Sequence, residues 1–182
     1  MIPVGYMLKK VAEKPAWLQV DSVVDIYSVK SCMSPDFADY ANFWKHNGYW
    51  FFDQSKTLTN LAAEEHIDVS GCTLFYYEAY EMEYREEDAT WSKFSPTEDI
   101  TTQVVEPRKM ELAGFDVVPF SCGTSAECSP LSCCALAREM DVNEHCLFRT
   151  FEDARIALES GRFNNSEPGP FRIFSVYRVI DG

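Results

Sequence analysis

Phe171 to Ile180 is apolar on both faces, interrupted only by Arg172, Ser175 and Arg178, and a segment of that kind reads as a central strand with material packed on each side. It follows a turn cluster from Asn164 to Pro170. A central strand requires partners, and the chain offers several. Val23 to Val29 is rich in β-branched residues, and Tyr49-Trp50-Phe51-Phe52 is too aromatic for a surface loop, so both read as strands. Thr73 to Arg85 is the longest candidate. It is apolar throughout at Leu74 to Tyr77 and then alternates, with Tyr80, Met82 and Tyr84 on one side and Glu81, Glu83 and Arg85 on the other. Such a strand leaves the core to become an edge or a protruding hairpin arm. Shorter strands fit Ile100 to Val105 and Phe115 to Phe120, separated by Pro107 and Gly114, while the charged stretch from Glu86 to Glu98 reads as a loop.

Helix signals alternate with these runs. Ser34 followed by Pro35 begins one helix, with Phe37, Tyr40, Ala41 and Trp44 on a single face and Asn47-Gly48 as its stop. Leu58, Leu61, Ala62 and Glu65 define a second between Ser55 and His66. Ser129-Pro130 repeats the cap-then-proline start, with Cys133, Leu136, Ala137 and Met140 at helical spacing up to Met140. Thr150 with Asp153 resembles a capping box, and Gly161 stands where a left-handed cap is needed. These elements lack a regular strand-helix-strand beat. The expectation is one α+β domain spanning residues 1–182, with a mixed or mainly antiparallel sheet and about four helices packed on it.

The longest apolar runs fall far short of the ~20 residues that cross a bilayer. No export signal is visible between Met1 and Lys14, and the seven cysteines are odd in number, so reduced thiols in a cytoplasmic protein are expected. A formal charge of −13 opposes direct binding to phosphate backbones.

The region 122–146 concentrates Cys122, Cys128, Cys133, Cys134 and Cys146 with His145. Three readings compete. Cys128 precedes the helix that begins at Pro130, where unpaired N–H groups favour a thiolate, and His145 supplies a base; that is a cysteine-dependent enzyme. The same six residues have the donor types of a structural zinc site but lack paired Cys-x-x-Cys knuckles. The third reading makes the cysteines small core residues, with Cys133 beside Leu136, Ala137 and Met140. No cofactor is favoured, zinc being the alternative. No GxSxG, HExxH, GxGxxG or EF-hand pattern is present to anchor an enzyme class.

The first expectation for function therefore rests on charge. Glu78, Glu81, Glu83, Glu86, Glu87 and Asp88 oppose Arg85, and Tyr80 and Tyr84 offer flat contact area between them. An acidic binding module that engages a basic protein partner, such as an inhibitor, an immunity-type protein or a nucleic-acid mimic, fits that pattern. A charged run after a strand is also what a solvated, aggregation-resistant edge looks like.

Overall fold

A computed structural model describes residues 1–30, 49, 51–95, 103–120 and 128–180. Its centre is the strand that the terminal apolar segment predicts, β8 (Phe171–Val179). On one side β8 pairs along its whole length with β7 (Met110–Pro119). On the other it pairs with β4 (Thr73–Ala79) and, further along, with β5 (Met82–Arg85) at Tyr84 opposite Phe171. Outside these lie β1 (Ile2–Lys9) beside β4 and β6 (Thr90–Lys93) beside β5, and every pairing in this six-stranded sheet is antiparallel. A small second sheet joins β2 (Ala12–Glu13) to β3 (Asp25–Ile26).

Because β8 alternates, it feeds two cores. Phe174 and Val176 join Val118, Phe75 and Tyr77 in one, and Phe171 and Ile173 join Val117 in the other. Helix α1 (Ser55–Glu64) buries Leu58 and Ala62 in the first core. Helix α3 (Phe151–Glu159) buries Ala154, Ala157 and Leu158 in the second. The α3 boundaries follow the sequence signals: Thr150 Oγ1 accepts the Asp153 N–H at 3.1 Å, and Gly161 takes φ +72°. The class is α+β, but the described residues hold three α-helices rather than about four. The helix expected over residues 35–44 lies outside them.

Four elements differ from their sequence-based outlines. The strand expected from Val23 to Val29 shrinks to the two residues of β3, although Val23, Ile26, Tyr27 and Val29 are all buried. Tyr49, Phe51 and Phe52 are buried too, yet only Phe52 bonds in a strand-like way, exchanging backbone hydrogen bonds with Tyr6; Trp50 lies outside the described residues. The helix expected from Pro130 to Met140 breaks after α2 (Pro130–Cys133), where Ala135 adopts φ +57°, and resumes as a 3-10 turn, Leu136–Glu139. Burial of Leu131 and Ala137 against the same core explains the apolar spacing without a continuous helix. Of the strand expected from Ile100 to Val105, residues 103–105 are irregular and 100–102 lie outside the described residues.

A fifth departure shapes the surface. Ala79 faces Phe174 and Tyr84 faces Phe171, so five steps along this strand match only three along β8. The extra residues form a bulge at Tyr80 and Glu81, which separates β4 from β5. Arg172 fills it. This fully buried side chain donates from Nε and Nη2 to the Tyr80 carbonyl at 3.2 and 2.6 Å and lies 3.9 Å from the centre of the Phe94 ring. The simple alternation through Tyr84 is thereby lost. The loop expected after it is instead a hairpin, turning at Ala89 with φ +53° and returning as β6.

Candidate functional site

The acidic hairpin divides into residues that the fold uses and residues it leaves exposed. Glu78 accepts a hydrogen bond from the Tyr177 hydroxyl at 3.0 Å. Tyr84 is only 3% exposed, 5.2 Å from the Trp91 ring, and Tyr80 is half-buried against Trp91 and Phe151. The flat tyrosine surface expected from the alternation is therefore core, because the bulge turns that face inward. Glu83 is likewise buried, 6% exposed, and accepts from Arg85 Nη2 at 3.1 Å. Asp88 closes the turn by accepting from Thr90 Oγ1 at 2.6 Å, while Glu81 and Glu87 are exposed.

What remains is a cleft of about 280 Å³ lined by Glu83, Arg85, Glu86, Glu87, Pro168, Gly169 and Pro170. One Glu86 oxygen accepts the Gly169 N–H at 3.2 Å; the other is screened from solvent without a hydrogen-bond partner. The turn cluster read from Asn164 to Pro170 supplies the opposite wall. Nothing in the charge pattern alone located that wall, since the two segments are far apart in the chain.

His145 belongs to a different site. The amide oxygen of Asn143 accepts the N–H groups of His145 and Leu147 at 3.0 and 3.1 Å, and its Nδ2 donates to the Ala113 carbonyl at 2.6 Å. Cys146 is held at φ +61° inside this turn. The Tyr27 N–H bonds the His145 carbonyl at 3.1 Å, and the N–H groups of Val24 and Asp25 share the Glu144 carbonyl. The consequence is that Asp25 Oδ1 lies 2.6 Å from His145 Nδ1, and the imidazole stacks on Tyr27 at 3.9 Å and 8°. Tyr27, Glu111, Leu112, Ala113, Glu144, His145 and Arg178 line a cleft of about 140 Å³. Sequence reasoning missed Asp25. Its one visible signal was a carboxylate inside an otherwise apolar run.

Cys128 does not line that cleft. It is half-buried just before α2, a helix of four residues. Ser129, expected as its cap, makes no cap bond and donates instead to Asp116 at 2.6 Å. Asp116 is fully buried; it also accepts from the N–H groups of Val29 at 2.8 Å and Val117 at 2.9 Å, and burial pushes its carboxyl up to about 6. The buried Lys9 lies close by, donating to the carbonyls of Ser28 and Val29.

The remaining cysteines diverge. Cys146 is buried and its thiol is pushed up to about 12, by burial first and by Asp116 next. Cys133 is half-buried, and the break at Ala135 takes it off the expected face with Leu136, Ala137 and Met140. Cys134 is exposed, 3.7 Å from Glu167 Oε1. Among the described residues no group of three His, Cys, Asp or Glu side chains is placed to hold a metal ion. Cys122 lies outside them. No described helix is long and apolar enough to cross a membrane.

No protein-family model, curated protein or solved structure matches this chain.

Proposed function

We propose that this chain is an acidic binding module that receives a basic group of a protein partner in the cleft between the β5–β6 hairpin and the Pro168–Pro170 segment. The observation that carries the reading is the convergence of Glu83, Glu86 and Glu87 on that cleft, with Arg85 as the counter-charge among its lining residues. The chain's net charge of −13 adds long-range attraction for a cation. Charge at such a rim governs association rate and specificity more than raw affinity. Inhibitors, immunity-type proteins and nucleic-acid mimics all belong to this class of binder.

Glu83 is buried against Arg85, so reversing its charge would damage the hairpin. Glu81 and Glu87 are exposed and serve as the test. With an arginine-rich peptide as probe, Glu81→Lys with Glu87→Lys slows association on the order of tenfold at low salt and flattens its salt dependence. Binding that ignores both the double reversal and added salt removes the proposal.

A further inference from the structure

The His145 cleft is separate from the acidic hairpin and has a different chemistry. The Asp25 carboxylate 2.6 Å from Nδ1 selects the tautomer that carries hydrogen there, which leaves the lone pair on Nε2. The nearest ion-pair partner of Nε2 is Glu144 Oε1 at 4.0 Å, beyond hydrogen-bond reach. The imidazole is 25% exposed, and its Nδ1 bond and the stack on Tyr27 restrain the ring in two directions. The turn that presents it is itself strained, since the buried Cys146 is a non-glycine residue at φ +61°. A histidine used only for packing needs none of this aim.

We propose that His145, oriented by Asp25, is a general base that activates water for the hydrolysis of small carboxylic esters. Water bound at Nε2 gives its proton to the imidazole as its oxygen attacks the acyl carbon. The carbonyl electron pair moves to oxygen, then returns to expel the alkoxide, which takes the proton from Nε2. Ester and water become acid and alcohol, and no other reactant is required. Asp25 stabilises the imidazolium formed in between, and Glu144 adds a second carboxylate at 4.0 Å. Arg178, bonded to Glu111 at 2.7 Å and to the Tyr27 hydroxyl, is the cation lining the cleft and the group available to a developing oxyanion.

Size and charge limit the substrate. A volume of about 140 Å³ admits only a few water-sized groups of ~30 Å³ each, so the acyl part is acetyl- or propionyl-sized. Glu111 and Glu144 on the rim oppose anionic substrates and favour neutral or cationic alcohols.

The test uses p-nitrophenyl acetate and the full chain carrying Cys134→Ser, which removes the one thiol exposed among the described cysteines as a competing nucleophile. Sustained turnover well beyond one equivalent, faster than an equal concentration of N-acetylhistidine amide, is expected. His145→Gln abolishes it. Asp25→Asn, with the wrong tautomer, lowers kcat roughly 10²- to 10⁴-fold with KM unchanged, a split that loss of packing alone does not produce. Where His145→Gln does not fold, carbethoxylation of His145 in the folded protein, located by mass spectrometry, takes its place. A rate no better than the free imidazole overturns the proposal. So does turnover that survives loss of His145, a single burst that then stops, or an Asp25→Asn protein as fast as its parent.

Discussion

At the scale of single residues, the cysteines separate by environment although they crowd together in sequence. Burial raises the Cys146 thiol to about 12, so almost none of it is thiolate near neutrality, whereas Cys134 stands at the surface. Iodoacetamide labelling of the native protein, mapped by mass spectrometry, should among the described cysteines reach Cys134 first and Cys146 only on unfolding. Rapid labelling of Cys128 below the range of an ordinary thiol would instead support it as a nucleophile. Residue types signalled this region but not its geometry. His145 was legible as a candidate base because imidazole is the usual one. Its partner was not, because Asp25 and His145 are brought together by bonds from the backbone N–H groups of Val24, Asp25 and Tyr27 to the carbonyls of Glu144 and His145, far along the chain. The acidic residues were legible as a group, while Tyr84 and Glu83 were misplaced by the bulge.

At the scale of elements, local rules succeeded for α1, α3 and β8 and missed two regular strands, β1 in a segment of mixed composition and β6 in a charged stretch. Helix α3 carries its own start and stop signals, α1 is marked by its apolar face, and β8 announces itself by being apolar on two faces. They failed where tertiary contacts bend the chain. Ala135 gives no sign that it will interrupt a helix, and the Arg172 guanidinium that fills the bulge at Tyr80 comes from a strand ninety-two positions away. Gly114 shows the same effect in β7. Its sequence context suggests a separator between strands, yet it sits inside one, at a second irregularity where Leu112 and Gly114 face Tyr177 and Val176. Its φ of +150° and the approach of the Phe148 carbonyl, which a Cβ would meet at 2.7 Å, leave no space for a side chain. Gly114→Ala therefore costs about 3 kcal/mol in urea unfolding, from overpacking and backbone strain together. A loss below ~1 kcal/mol would mean that the bulge relaxes, and that it is not what anchors Phe148 to Phe115.

At the scale of the whole molecule, Asp116 links three parts of the chain that share no secondary structure: Val29 after β3, β7 itself, and Ser129 before α2. Three donors favour its charged form, and Lys9 adds a weaker attraction, but complete burial outweighs them and raises its pKa to about 6. The sign of the linkage follows. An unfolded aspartate titrates near ~3.9, so between about pH 4 and pH 6 the native state holds the extra proton. Stability then falls as pH rises through this window and levels off above it, by a few kcal/mol at most for a shift of this size. Exposed carboxylates held low by partners, such as Glu152 with Arg155, act in the opposite sense, so the raw pH profile is a sum. Asp116→Asn isolates the contribution. The amide keeps an oxygen for Val29 while never ionising, and the difference in unfolding free energy between variant and parent should change across pH 4–6 and stay constant from pH 7 to pH 8. A difference that is flat throughout would mean that Asp116 titrates alike in both states, and that its three hydrogen bonds fully offset its burial.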